Sequence, residues 1–327
     1  MKELEHAMAQ SQRRPWPIIL TLIGIVLLVV LWCTYWVIAS GFVRNTFESE
    51  RAKLSRQGIA LDCKGLNWGG FPFRFERDCI EPTLTLTGDK VAAKNLLLVM
   101  QAYMPNRAIA LIDGPVTSSS GLTVTHERAM ASARFSSERN WQASLEVPKL
   151  QAQPFGSAER LLVSARDTGG ERLDVALDAT TAAVLLEAGI LLKLDEASLQ
   201  ANVPRQAVGR DLLKALAASG EKIGIDTIRL KKGELIVTAK GELGLGPTGH
   251  VDGRLTTTSN RLDLLLEEFK QDFGLSDKDA QTLATMIGLL QPGKTTDITL
   301  DLIAKDGKLY WGPVKLTELP PLTLAPL

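Results

Sequence analysis

Between Arg14 and Arg44 the chain carries no charged residue, and the centre of that run, Ile18 to Ala39, is nearly all Ile, Leu, Val, Trp and Thr. At about 1.5 Å rise per residue such a helix spans roughly 30 Å, the hydrocarbon thickness of a bilayer. A segment of this kind fixes where the rest of the chain lives, and so which chemistries are open to it. Arg13 and Arg14 flank its leading edge, whereas Arg44, Glu48 and Glu50 are the first charges beyond it. Positive charge at the leading edge favours a cytoplasmic N-terminus and an exported C-terminal part. Trp16 at one edge, and Tyr35 with Trp36 near the other, match interfacial aromatic belts. A cleaved signal peptide is the alternative, since Val37-Ile38-Ala39 has the small-residue pattern of a cleavage site. Secretory apolar regions run only about 7–15 residues, shorter than this one, which favours an uncleaved anchor.

The chain has 37 basic and 37 acidic residues, and the part beyond the anchor is close to neutral. That lacks the electrostatic footprint of a nucleic-acid binder. Cys33 lies inside the apolar run, leaving Cys63 and Cys79 as the only cysteines of the exported part. In an oxidising compartment these two are expected to pair, and closing a loop of about 15 residues is worth roughly 3 kcal/mol. Two buried thiols are the alternative. Two cysteines without a nearby histidine do not make a zinc site.

The resulting organisation is a cytoplasmic tail at 1–14, an anchor at 15–43 and a helical linker at 44–60, with Gly58 ending the polar continuation Arg44–Gln57. Beyond it lies a β-rich domain at 61–319, in two possible halves of about 61–195 and 196–319, and then a tail at 320–327. Short alternating segments divided by Gly, Pro, Asn and Asp predict strands. They fall at Thr83–Thr87, Ala92–Tyr103, Ala108–Ile112, Thr123–His126, Met130–Phe135, Gln142–Val147, Arg160–Ala165 and Arg172–Leu177. Ala182–Leu194 is apolar nearly all round and of helical length, which predicts a buried helix. Strand Ser198–Val203, helix Arg205–Ser219 and a meander from Ile223 to Thr258 come next. One amphipathic helix starts at Asn260, with Leu262, Leu265, Leu266, Phe269 and Phe273 on one face. A second starts at Ser276, with Asp279 at capping-box spacing. A hairpin of Asp297–Ala304 and Lys308–Leu316 turns at Asp306-Gly307. The fold class read from this is α+β and β-rich: a transmembrane helix, then long antiparallel sheets, as a groove or half-barrel, packed with a few amphipathic helices.

Catalytic signals are weak. Gly244-Leu245-Gly246-Pro247-Thr248-Gly249 matches the dinucleotide fingerprint in letters, but that motif needs a strand leading into a helix, and His250-Val251-Asp252-Gly253 reads as strand and turn. His126 and His250 are the only exported histidines, and neither has a carboxylate at metal-ligand spacing. Ser118-Ser119-Ser120-Gly121 lacks the nucleophile-elbow pattern. Glu267-Glu268 lies on the solvated face of a helix. No enzyme, metal or cofactor is expected.

The cysteine-bracketed segment is the most distinctive. Phe71, Phe73 and Phe75 alternate with Pro72, Arg74 and Glu76 after a Gly69-Gly70 turn, which predicts one aromatic and one charged face. Two readings stand. In one, Trp68, Phe71, Phe73 and Phe75 pack a small core near the membrane. In the other they form a platform that meets lipid or a partner, with Arg74 and Arg77 available for an anionic headgroup.

The anchor, the pair Cys63…Cys79 around Gly70-Phe71-Pro72-Phe73-Arg74-Phe75-Glu76, and Asp306-Gly307-Lys308-Leu309-Tyr310-Trp311-Gly312-Pro313 resemble an alphaproteobacterial envelope family, domain of unknown function 2125. The resemblance covers the exported part. It implies a loose kinship with AsmA-like proteins, which are anchored in the inner membrane and project a β-rich groove into the periplasm. The expectation is a single-pass inner-membrane protein with its bulk in the periplasm. It would bind lipid or a lipid-linked envelope component, or alternatively act as a scaffold for other envelope proteins.

Overall fold

A computed structural model describes residues 16–56, 58–86, 89–137, 140–185, 191–205, 212–246, 248–261, 263–265, 267, 277–290, 298–311, 314–319 and 321–322. The expected tail at 1–14 and most of that at 320–327 lie outside the described residues. Helix α1 (Trp16–Arg56) is continuous for 41 residues, so the apolar run and its polar continuation form one rod of roughly 60 Å. Its most apolar 18-residue window has a mean hydropathy of 2.7 and is unburied by the rest of the chain, as a single membrane span requires. Gly58, at φ 78°, ends it, with its N–H donating to the Ser55 carbonyl at 3.0 Å.

Eighteen described strands join in one sheet. They are β1 (Ile59–Gly69), β2 (Arg74–Leu86), β3 (Asp89–Ala92), β4 (Asn95–Gln101), β5 (Met104–Asp113), β6 (Val116–Ser118), β7 (Thr123–Thr125), β8 (Ala129–Ser137) and β9 (Asn140–Gln153). Next come β10 (Gly156–Asp167), β11 (Arg172–Leu185), β12 (Leu191–Pro204), β13 (Lys222–Lys232), β14 (Leu235–Leu245), β15 (Val251–Ser259), β16 (Ile298–Lys305), β17 (Lys308–Trp311) and β18 (Val314–Glu318). All pairings are antiparallel. From β9 to β18 each strand pairs with its successor. Between β2 and β9 the sheet forks. The first half of β2 continues through β4, β5 and β8, and its second half through β3, β6 and β7; both tracks rejoin on β9. By either track the path from β1 to β18 crosses fifteen strands, which at about 4.8 Å per strand is roughly 65 Å.

The long strands are bent at shared positions. Glu81, Lys149 and Thr181 have φ of 47°, 49° and 48°, in the left-handed region that side chains with a Cβ rarely occupy. Each advances the in–out alternation by one residue. Buried or half-buried positions therefore fall three apart across it, as Cys79 and Pro82, Val147 and Leu150, Ala179 and Ala182. The Cys63–Cys79 disulfide crosses the first of these resets with 5.4 Å between its Cα atoms, clamping β1 to β2.

Three expectations are corrected. Ala182–Leu194 is not a buried helix: residues 182–185 end β11 and 191–194 begin β12, paired as Val184 with Leu192 and Leu185 with Leu191, while 186–190 lie outside the described residues. Both faces of this hairpin end are apolar, so the period-2 signal vanishes. The segment Ala92–Tyr103 is two strands, β3 and β4, on separate tracks of the fork. The closing hairpin is a three-strand meander, β16–β17–β18. The helix expected over Arg205–Ser219 is described as α2 (Leu212–Ser219), with 206–211 outside the described residues. Of the helix from Asn260, residues 263–265 and 267 are helical, and Leu262, Leu266, Phe269 and Phe273 lie outside the described residues. Helix α3 (Asp277–Leu290) matches the second expected amphipathic helix.

Candidate functional site

Trp32, Tyr35 and Trp36 share one stripe of α1 by their i, i+3, i+4 spacing. Each donates its polar hydrogen to a carbonyl at the end of the sheet: Trp32 to Pro72 at 3.0 Å, Tyr35 to Ala102 at 2.8 Å, Trp36 to Arg74 at 3.0 Å. Their rings meet the phenylalanines of the turn. Trp32 lies 6.2 Å from Phe73, and Trp36 lies 5.1 Å edge-on to Phe71 and 5.8 Å stacked on Phe75. Strand β1 thus runs back down α1 and delivers the turn between β1 and β2 to the outer belt of the apolar run. Three turns further along α1, Phe47 packs edge-on to Trp68 at 6.2 Å, and Arg44 lies 5.2 Å over the same indole. Arg77 lies against both rings, 3.9 Å from that of Phe47 and 4.6 Å from that of Trp68, with its guanidinium 3.0 Å from Glu48.

The six expected site residues therefore come together but divide in role. Phe75 and Arg77 are buried, Trp68 is half-buried, and Phe71, Phe73 and Arg74 are exposed. Arg77 is corrected from an available headgroup ligand to a buried clamp: two residues from Phe75, it shares the aromatic face rather than the charged one. Arg74 pairs with Glu76 at 2.6 Å on the opposite face. The helix-side partners Phe47 and Glu48 were not singled out from sequence. Arg44, Phe47, Glu48 and Arg51 follow the i, i+3, i+4, i+7 pattern of one helix face, which was the available signal.

From this clamp a single row of directly paired residues crosses the sheet on one face. It runs from Trp68 and Arg77 through Leu98, Ala110, Ala131 and Leu145. It continues through Val163, Leu177, Leu199, Ile228 and Ala239 to Thr257 and Leu300. The adjacent row, which points to the other face, carries Leu97, Leu111 and Met130 before β9, and then Glu146, Leu162, Asp178, Ser198, Arg229, Thr238, Thr258 and Thr299. From β9 onward the sheet is thus largely amphipathic, as half-solvated antiparallel sheets are. Among the described residues, two of its apolar clusters gather residues of neighbouring strands: Ala201, Ile225, Ala239 and Leu255 in one, Ala158, Ala179 and Ala182 in the other. Helix α2 covers a small part of this face, through Leu216 against Leu245 and Ile223.

Two depressions mark the faces. One of about 170 Å³ lies beside α1 on the apolar face, lined by Val43, Phe47, Trp68, Phe75, Leu98, Met100 and Ala108 among others. The other, about 440 Å³, lies on the polar face among Gln142, Ser164, Arg166, Asp174, Gln200 and Asp226. The remaining motifs occupy structural places. The Gly244–Gly249 segment is the turn from β14 to β15, so its glycines lead into a strand. His250 Nδ1 lies 3.0 Å from the Thr248 hydroxyl, and His126 Nδ1 lies 2.5 Å from the Glu127 carbonyl. Among the described residues no three His, Cys, Asp or Glu side chains gather as a metal site.

No curated protein and no solved structure matches the chain. One family model does, from residue 36 to 320, and it thus includes the outer end of α1, the disulfide-bonded hairpin and the sheet. The wider AsmA-like kinship has no support from these comparisons. With most of its length matched, the chain belongs to the family described as uncharacterized protein conserved in bacteria, DUF2125.

Proposed function

We propose that this protein is a single-pass inner-membrane protein whose periplasmic sheet binds the acyl chains of lipid along its apolar face, by association rather than catalysis. The observation that carries this reading is the row from β1 to β16, apolar except for the clamped Arg77 and for Thr257, backed from β9 onward by a mostly polar row and starting beside the membrane helix. A face of that length is several times the roughly 15 Å of one leaflet's hydrocarbon, so it suits chains laid along it. Short side chains such as Ala110, Ala131 and Ala239 keep the floor shallow. The apolar depression beside α1 lies where a chain leaving the bilayer first meets the sheet. The disulfide and the Arg13-Arg14 flank support an oxidising compartment for the sheet and a cytoplasmic N-terminus.

The test uses the full-length protein in vesicles containing a phospholipid with a photoreactive diazirine in its acyl chain. Labelled peptides from β10 to β14, carrying Val163, Leu199 and Ile228, support the reading. Labelling confined to α1 overturns it.

A further inference from the structure

The end of the sheet that α1 holds is apolar at its tip and basic just behind it. Phe71, Phe73, Tyr103 and Met104 are all exposed there, Phe73 and Tyr103 by more than 60 %. Their height is set by α1. Trp16 and Trp36 are twenty residues apart, so a span with both at its interfaces is about 30 Å thick. The carbonyls of Pro72, Ala102 and Arg74, bonded to Trp32, Tyr35 and Trp36, therefore lie at or within one helical turn of the outer interface. The two turns are locked together as well: the Ala102 N–H donates to the Phe73 carbonyl at 2.9 Å, and Ala102 is fully buried.

Behind this tip, Arg107 on β5 and Arg134 on β8 are directly opposite each other in the register, and both are exposed. Like charges at directly opposed positions destabilise a sheet pair. Among the described residues neither is paired with a carboxylate. Arg107 stands three residues beyond Met104, within about 10 Å of the tip. The headgroup zone on each side of a bilayer is roughly 5–8 Å deep. Apolar side chains at the hydrocarbon edge thus place two unneutralised guanidiniums at the level of the phosphates, where forked N–H donors match phosphate oxygens.

We propose that these elements form a leaflet-docking surface: Phe71, Phe73, Tyr103 and Met104 enter the outer interface of the bilayer that α1 crosses, and Arg107 with Arg134 binds a phospholipid headgroup phosphate between them. The pair leaves the acyl-binding face free, because Arg107 and Arg134 point to the other side of the sheet from Ala108 and Ala133.

The experiment uses the full chain with Cys33→Ala, which spares the disulfide, and three separate labelling variants, Phe73→Cys, Tyr103→Cys and Phe155→Cys, each carrying an environment-sensitive fluorophore. Phe155 is an exposed control in the turn between β9 and β10, at the opposite end of the strands. In vesicles of palmitoyl-oleoyl phosphatidylcholine and phosphatidylglycerol, nitroxide lipids are expected to quench the labels at 73 and 103 severalfold more than that at 155. Equal quenching by aqueous iodide at all three overturns the insertion. In maltoside micelles, added phosphatidylglycerol is expected to raise the melting temperature of the unmodified chain, and the Arg107→Gln/Arg134→Gln double variant is expected to lose most of that shift. Because both residues are exposed, the variant is expected to fold. An equal shift in both proteins overturns the phosphate clamp, and reproduction of the shift by inorganic phosphate alone overturns the assignment to lipid. Acyl labelling of β10–β14 is read separately: its loss with the tip still quenched counts against the groove and not against this surface.

Discussion

The Arg77 guanidinium lies 3.9 Å from the centre of the Phe47 ring, so a cation of the sheet is stacked on an aromatic of the membrane helix. Trp68 lies 4.6 Å from the same guanidinium, and Glu48 takes its charge at 3.0 Å. This single side chain ties α1, β1 and β2 at the start of the apolar row. Desolvated cation–π contacts are worth about 2 kcal/mol, and the aliphatic stem adds buried apolar surface. Arg77→Ala is therefore expected to lower stability by about 2–3 kcal/mol, read as a lower denaturant midpoint in far-ultraviolet circular dichroism. Glu48 is half exposed and rehydrates, so the cost stays below that of stranding a fully buried charge.

The Cys63–Cys79 disulfide constrains the same hairpin from its other end. By loop entropy, removing it with Cys63→Ser/Cys79→Ser costs about 3 kcal/mol. A melt under reducing conditions checks this, with the unmodified protein expected to shift down towards the double variant and the variant itself not to move.

Thr181 holds a left-handed backbone conformation although it is β-branched. Left-handed geometry costs an L-residue about 1–2 kcal/mol, partly offset when glycine replaces it by the greater freedom glycine loses on folding. Thr181→Gly is expected to stabilise by about 0.5–1 kcal/mol, whereas Thr180→Gly, in ordinary extended backbone, destabilises by a similar amount. Denaturant midpoints of the two variants at unchanged slope decide the matter.

The same residue shows why sequence reading succeeded in one place and failed in another. Ile18–Ala39 was legible because bilayer thickness sets a length that few soluble helices reach. The strands from β8 to β15 were legible because water on one face enforces period-2 alternation. Thr181 has no sequence mark, yet it resets the alternation so that Ala179 and Ala182 share a face, and a spacing of three looks helical. Beyond it both faces of the hairpin end are apolar, and nothing in the pattern distinguishes strand from buried helix. The burial of Arg77 carried a signal in its parity, two residues from Phe75, but it was expected beside Arg74 as an available headgroup ligand. The placement of the turn against Trp32 and Trp36 was not, because it depends on contacts some forty residues apart.

Asp263 accepts from the Arg261 guanidinium at 2.9 and 2.7 Å, and this bond lowers its pKa from 3.8 to about 2. A carboxylate with a depressed folded pKa contributes stability that is complete above its unfolded value and lost as pH falls through the folded one. The contribution is thus present above pH 3.8 and disappears towards pH 2. Carbon-detected titration of the Asp263 carboxyl is expected to show a midpoint near 2, returning towards the usual carboxylate range in Arg261→Gln. An unchanged midpoint in that variant contradicts the assignment.

The open apolar face that the proposed function requires makes its own prediction, separate from any ligand. Leu199 lies in the middle of the apolar row, paired with Leu177 and Ile228, and is half-buried. In a closed core, an aspartate there would strand an unpaired charge, costing well over ~3 kcal/mol or raising its pKa by several units. On a face that water reaches when no lipid is bound, the aspartate stays hydrated, and the loss is mainly that of leucine's contacts with its neighbours. Leu199→Asp is therefore expected to cost about 1–2 kcal/mol in the lipid-free chain, measured by denaturant unfolding, and to titrate near the ordinary carboxylate range. The same substitution is expected to abolish acyl-diazirine labelling around β12. A cost above about 4 kcal/mol would mean that another layer of the protein covers this face.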